Sequence, residues 1–364
     1  MIDILYSILA FLIVISIIVV THEFGHYIAA RCFGVIATDF AVGWGPTLFK
    51  KRDKHGTTWK LCAIPLGGYI KYLGDADATS IGGKPVKLSA QERKHSFVGQ
   101  SLVKKSVIAI AGPAANFVTA IFILTCMFCL DGRLVASNKI IAVEPNSVAH
   151  RSGIQPEDKL ISIAGHAVQD FATAERYIKA SPNVPLEFSI ERNGQILKQI
   201  ITPEAVEASY GKEKIIIGKL GILPDVSYKK YGVLGSLQAS VKDTWNISMF
   251  TLKIFGQILT GNRSTKDVGS IIRISKQSLD VMKQGASALA YFIALLSINI
   301  GLFNLFPIPP LDGGHILLYV TRGILPKKAA DYFENYAIKI GIGVLVVLMI
   351  GALLNDIIQL RVGQ

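Results

Sequence analysis

The chain has 364 residues, 51% hydrophobic and 18% charged, and its mean hydropathy is +0.43. That is too apolar for an ordinary soluble enzyme and points to several membrane spans, yet the charged residues gather in two blocks, about 31–105 and 131–285, so the chain is not membrane-filled throughout. The net charge of +12 does not read as a nucleic-acid footprint: residues 31–105 carry 13 Lys and Arg against 5 Asp and Glu beside apolar spans, the pattern of a segment retained in the cytoplasm.

Met1-Ile2-Asp3 has no basic character and no small-residue cleavage site follows, so the first apolar stretch is expected to stay as a span. Four stretches are long enough to cross a hydrocarbon layer of roughly 30 Å: about 4–30, 106–130, 286–307 and 337–354. Three carry polar residues. The first holds His22, Glu23 and His26, the second Gly112-Pro113 and Asn116, and the third Asn299 and Asn304. Polar groups at such depth are costly and face a protein interior or a watery cavity.

Residues 22–26 read His-Glu-Phe-Gly-His. On a helix, positions i and i+4 share a face, so His22 and His26 are placed to offer imidazole nitrogens to one Zn²⁺, with Glu23 beside it as the base that takes a proton from the attacking water. The plain alternative, a chance trio in a span, leaves an unpaired carboxylate among apolar neighbours.

Residues 31–105 are expected to form a cytoplasmic, membrane-associated β region with a basic loop. Glycines punctuate short β-prone runs at Val42-Gly43-Trp44-Gly45-Pro46 and at Ile64-Pro65-Leu66-Gly67-Gly68-Tyr69-Ile70, which suggests hairpins. Span 106–130 follows; Cys126 and Cys129 within it read as apolar packing, not as a redox pair. Residues 131–228 contain no cysteine and alternate β runs, such as 140–143 and 186–190, around a helical stretch near 171–180. Residues 229–285 read as linker helices. Val233, Leu237, Val241 and Trp245 fall at three-to-four spacing, favouring an amphipathic helix on the outer membrane surface over a fifth span.

A catalytic zinc takes three protein ligands and an open position, so a third ligand is needed. Of the acidic residues near apolar spans, Asp3, Asp131, Asp312 and Asp356, Asp312 stands out. It lies in segment 286–315 just after the apolar span, whose end is broken by Pro307, Pro309 and Pro310, and helix unwinding at membrane depth is tolerated around a cavity. With 31–105 and the next short loop, 316–336, in the cytoplasm, the first and third spans both run inward, which puts His22, His26 and Asp312 at one depth. His315 remains a competing ligand. Residues 337–364 hold the fourth span and the C-terminus.

The chain resembles the site-2 protease family of intramembrane metalloproteases, in its bacterial regulator-of-sigma-E branch. The resemblance rests on His22-Glu23-x-x-His26, Gly112-Pro113-x-x-Asn116-Phe117 and Asn304-x-x-Pro307-x-Pro309-x-Leu311-Asp312-Gly313. It implies zinc on His22, His26 and Asp312, Glu23 as base, and substrate contacts at Asn299 and Asn304 in the cleft, with Pro307 and Pro309 beside them. It also implies a β-sheet edge near Gly43, Gly45 and Tyr69 that pairs with unwound substrate. The run 145–161 resembles a PDZ domain of the bacterial protease type, with Glu157-Asp158 where Gly-Asp is usual and only one such domain where many relatives carry two.

The expected fold is therefore a polytopic α-helical membrane protein with four transmembrane helices, a membrane-associated β-hairpin or sheet region, and one extracytoplasmic PDZ domain of α+β type. The expected activity is zinc-dependent cleavage of single-span membrane proteins within the lipid bilayer of the bacterial inner membrane, both termini lying outside. The pre-cut anti-sigma factors and remnant signal peptides are the expected substrates, with a peptide ligand for the PDZ groove and no nucleic acid. Two rival readings are a catalytically silent PDZ scaffold, which has no need of Glu23, and a metal transporter, which needs further ligands staged along the spans.

Overall fold

A computed structural model describes residues 2–74, 88–210, 213–261 and 271–362. The chain divides into two compact units: Met1–Cys126 with Ser236–Leu252 and Thr265–Gln364, and Met127–Gly235 with Lys253–Ser264. Among the described residues, four helices are long and apolar enough to cross a membrane: Leu5–Cys32, Leu102–Leu130, Ala286–Asn304 and Lys327–Asp356.

The first unit opens with helix α1 (Ile2–Cys32), apolar on all sides, with Arg31 in its last turn where a cation complements the helix dipole. Two long strands follow, β1 (Ala37–Arg52) and β2 (Thr58–Tyr72). Both bend, so Asp39–Val42 of β1 lies between Thr58–Leu61 and Gly68–Lys71 of β2, while Phe49–Arg52 pairs along the outer side of Thr58–Leu61. Two strands thereby build a sheet four segments wide, and Gly68–Lys71 is one of its edges. Tyr27 and Ala30 of α1 pack on Phe40, Ile70 and Tyr72 to seat this sheet on the helix end.

Helix α2 (Ala90–His95) begins at a capping box between Ser89 and Glu92. Helix α3 (Leu102–Leu130) carries Pro113 within it and runs antiparallel to α1. A methyl group at Gly25 would stand 2.3 Å from the Ala111 carbonyl, so the two backbones nearly touch there.

The second unit is an α+β body. Its strands are β3 (Arg133–Val143), β4 (Lys159–Ile163), β5 (His166–Ala167), β6 (Leu186–Arg192), β7 (Gln195–Ile201), β8 (Glu204–Tyr210), β9 (Glu213–Lys219) and β10 (Ile222–Lys229), with helices α4 (Val148–Arg151) and α5 (Phe171–Ala180). The main sheet runs β10-β3-β4-β6-β7, with β5 on β4, and β8-β9 forms a separate hairpin. Ile140, Leu160, Ile163, Phe188 and Ile190 fill its core against Ala174 and Ile178 of α5. Asp170 caps α5 by accepting from the Thr173 N–H, and the helix falls where the sequence places one.

Helix α6 (Val233–Leu259) is continuous. Its inward face is a stripe of small polar residues, Ser236, Ser240, Thr244 and Ser248, while Val233, Leu237, Val241 and Trp245 are exposed. The apolar spacing seen in the sequence thus marks the outer face of the helix. Helix α7 (Ile271–Gln284) precedes α8 (Ala286–Asn304). Val14 and Ile18 of α1 pack on Phe292 and Ile293 of α8.

The chain breaks after Asn304 and resumes as α9 (Asp312–Ile324) and α10 (Lys327–Val362). The loop expected over 316–336 is therefore helix except at its centre, because amphipathic and charged turns lower an apolar average without ending a helix.

Candidate metal centre

The two histidines of α1 lie one turn apart on one face, and the start of α9 comes down onto that face. His22 Nε2 is 3.1 Å from Asp312 Oδ2, and His26 Nε2 is 3.4 Å from Asp312 Oδ1. The two Nε2 atoms are 3.2 Å apart. Among the described residues, His22, His26 and Asp312 are the one group of three such donors lying within 4.8 Å of each other. His315, the competing third ligand, stands outside this set and lines the same cavity as His26 and Asp312.

Asp312 reaches this position because its own backbone neighbourhood is bare. A methyl group on Gly313 would lie 2.2 Å from the Leu305 carbonyl, and one on Gly314 would lie 2.3 Å from Pro309 N. Only glycines let the loop after α8 fold back over the first turn of α9. Asp312 sits in that first turn, where the helix dipole favours a carboxylate.

The donor set fits a zinc ion. Tetrahedral ligands at about 2.0–2.1 Å from the metal stand roughly 3.3 Å from each other, close to the three separations seen here. His26 Nδ1 lies 2.7 Å from the Ile108 carbonyl, so Nδ1 carries the proton and Nε2 presents a lone pair. Asp312 Oδ2 is buried and, among the described residues, receives no properly directed hydrogen bond despite its closeness to His22. Two imidazole nitrogens and a buried carboxylate oxygen without a hydrogen-bond partner among the described residues converge on one point, an arrangement that a cation satisfies.

Glu23, His26 and Asp312 line one cavity with Tyr69, Ile70, Tyr72, Phe97, His315 and Tyr319. The β2 edge borders it directly: a methyl group at Gly68 would come within 3.4 Å of Glu23 Cγ. Tyr69 is thus brought to the site. Gly43 and Gly45 are not among the cavity residues; they lie at φ +87° and +86° where β1 bends, and a side chain on Gly43 would strike the Ile64 carbonyl.

Asn299 Oδ1 accepts a hydrogen bond from Thr251 Oγ1 of α6 at 2.9 Å. Asn304 ends α8 half-buried, Pro307 is exposed and Pro309 is buried in the loop beyond it. Sequence reasoning did not assign Phe97, Tyr72 or Tyr319 to the site. Their aromatic spacing across three separate segments has no local pattern to reveal it.

A His-Glu-x-x-His motif on an apolar helix, a carboxylate from the first turn of α9 and a glutamate in the shared cavity are the features of a membrane metalloprotease. The model of peptidase family M50 matches residues 10–348, and the chain belongs to this site-2 protease family of zinc-dependent endopeptidases. It is 36% identical to a protein of Rhizobium meliloti named as a zinc metalloprotease, over 97% of this chain and 96% of the relative. A protein of Agrobacterium fabrum named likewise is 35% identical over 97% and 96%. The regulator of sigma E protease of Haemophilus influenzae is 27% identical, with 98% of this chain and 99% of that protein covered in an alignment 456 positions long.

Proposed function

We propose that this protein hydrolyses peptide bonds inside the membrane-spanning segments of other proteins, using His22, His26 and Asp312 as zinc ligands and Glu23 as the general base. The observation that carries this reading is the meeting of three ligand-type side chains, their donor atoms 3.1–3.4 Å apart, where the start of α9 meets the apolar helix α1, with a glutamate in the same cavity. Zinc held there supplies a Lewis acid for the scissile carbonyl and its attacking water.

Glu23 takes the proton from water and returns it to the leaving amine. The substrate helix must unwind first, since its carbonyls are engaged in internal hydrogen bonds. Gly68–Lys71 offers an open strand edge beside Glu23 that receives the freed backbone groups by strand addition. Asn299 and Asn304 hold the unwound segment from the α8 side, with Pro307 and Pro309 shaping the loop next to it. Asn299 is reached once Thr251 gives up its hydrogen bond.

The remaining assignments belong to the same reading. Residues 131–228 form a PDZ domain outside the bacterial inner membrane, able to bind a peptide along a sheet edge. Both termini lie on that side, and the metal centre lies near the cytoplasmic face. Substrates are single-span proteins already shortened on the outside, such as pre-cut anti-sigma factors or remnant signal peptides. Of the rival readings, scaffold and transporter, neither uses a glutamate placed in the cavity with the ligands.

The test is cleavage of a model single-span substrate by purified protein in detergent. Glu23→Gln is expected to reduce the rate by roughly a thousandfold or more, as loss of a base and its charge does, while retaining zinc. Equal rates for wild type and variant would overturn the mechanism. Loss of zinc in His22→Ala, His26→Ala and Asp312→Ala is expected, and unchanged zinc in Asp312→Ala would remove it from the ligand set.

A further inference from the structure

The buried amide of Asn116 is not assigned by any of the above. It sits in the middle of an apolar helix at 0% exposure, and its Nδ2 stands 3.3 Å from His22 Nδ1. Its Oδ1 is buried and, among the described residues, has no hydrogen-bond partner. Its backbone carbonyl accepts from Ser297 Oγ of α8 at 3.0 Å. One residue of the second span is therefore tied both to the metal-binding helix and to the helix that leads to Asp312.

The chemistry of the histidines dictates which end of that amide meets His22. A ligand histidine that coordinates through Nε2 must carry its proton on Nδ1 and donate it to an acceptor. His26 does so toward the Ile108 carbonyl. For His22 the group at the equivalent place, among the described residues, is the Asn116 side chain, whose two ends are assigned from the hydrogen bonds they make. With nitrogen toward Nδ1, His22 would be held with its proton on Nε2, the wrong tautomer for a ligand, and an acceptor would be left stranded. With oxygen toward Nδ1, both amide N–H donors are unmet among the described residues but the tautomer is right.

The match between the helices is regular. On α3, Gly112 faces His26, where a methyl group would come 2.2 Å from Nε2, and Asn116 one turn further faces His22. The pair on α3 thus answers the pair on α1, room for one ring and an acceptor for the other.

Resting on the zinc-centre reading above, we infer that Asn116 is a positioning residue for the metal, its amide oxygen accepting the Nδ1 proton of His22 and fixing that ring for coordination through Nε2. The same residue couples the ligand helix to α8 through Ser297.

The experiment measures zinc affinity of the full-length protein in detergent by competition with a chelator. It uses wild type, His22→Ala, Asn116→Leu and Asn116→Asp, with thermal unfolding of the zinc-free proteins alongside. Asn116→Leu is expected to bind zinc 10–100-fold more weakly, the usual cost of losing such a partner. Asn116→Asp, isosteric and acceptor-only on the facing atom, is expected to bind at least as tightly as wild type. Cobalt-substituted Asn116→Leu should show a shifted visible spectrum, which a purely structural role would not produce. Wild-type affinity in Asn116→Leu, or an Asn116→Asp variant that binds no better than Asn116→Leu, would overturn the inference while leaving the zinc centre standing. Wild type binding no more zinc than His22→Ala would overturn the zinc-centre reading and this inference with it.

Discussion

The metal centre and the core of the second unit handle buried polarity in opposite ways. Around His22, His26 and Asp312, donor atoms converge and Asp312 Oδ2 is buried without a hydrogen-bond partner among the described residues, while the surroundings are glycines trimmed to the backbone, Gly112 beneath His26 and Gly313–Gly314 beneath the loop after α8. In the second unit the buried carboxylate of Asp158, 1% exposed, is answered in full: it accepts from the Gln155 N–H at 2.8 Å and from Arg192 Nε and Nη2, each at 2.7 Å. The first arrangement leaves a buried carboxylate oxygen without a hydrogen-bond partner among the described residues. The second is complete as folded, which separates a site built for chemistry from one built for stability.

The sharpest break of that comparison is at Gly112. In Gly112→Val the added Cβ alone would stand 2.2 Å from His26 Nε2, so the ring has to leave its place beside His22 and Asp312. Zinc content is expected to fall to background, and substrate cleavage to drop at least about a hundredfold, since displacement of a catalytic group by an ångström costs that much. A variant that retains stoichiometric zinc would show that the His26 ring has room the packing denies it.

Much of this centre is legible in the sequence because polar residues inside apolar spans are conspicuous. The spacing of His22 and His26 gives the shared face, and Asp312 emerges from a short roster of acids beside the proline break. Ile108 leaves no trace, because its contribution is a backbone carbonyl. Gly112 and Asn116 are visible as anomalies, but their pairing with His26 and His22 depends on α1 and α3 lying antiparallel in one register. The bent β1-β2 sheet is similarly hidden: glycine punctuation suggests hairpins, while the pairing of Asp39–Val42 on both sides requires tertiary folding. The strand and helix order of the second unit reads well, because its alternation and caps are local signals.

The polar cluster of the second unit offers the next test. Burial pushes the Asp158 carboxyl up, but hydrogen bonds from Arg192 and the Gln155 N–H outweigh it and hold it below the usual carboxylate range. A carboxylate depressed in the native state contributes stability above its unfolded value of about 3.9 and loses it as pH falls through the native value. Asp158→Ala is expected to destabilise this unit by roughly 2–3 kcal/mol at neutral pH, read as faster amide exchange in β4 and β6. The difference from wild type should shrink as the pH drops below about 4. A difference that grows on acidification would reverse the sign of the linkage.

The smallest expected effect comes from the neighbouring residue. Glu157 occupies φ +77°, a conformation that costs a side-chain-bearing residue about 1–2 kcal/mol. Glu157 stands where the PDZ resemblance usually has glycine, and its backbone takes a conformation that favours glycine. Its carboxylate pairs with Lys139 Nζ at 2.5 Å, but both side chains are substantially exposed, and such a pair contributes little. Glu157→Gly relieves the strained φ while adding freedom to the unfolded chain, two effects of opposite sign and similar size. The strain term is the larger, so a net gain of about 0.5–1 kcal/mol is expected in amide exchange of β3 and β4. Loss of stability would mean that the Lys139 pair, and not backbone conformation, holds this turn.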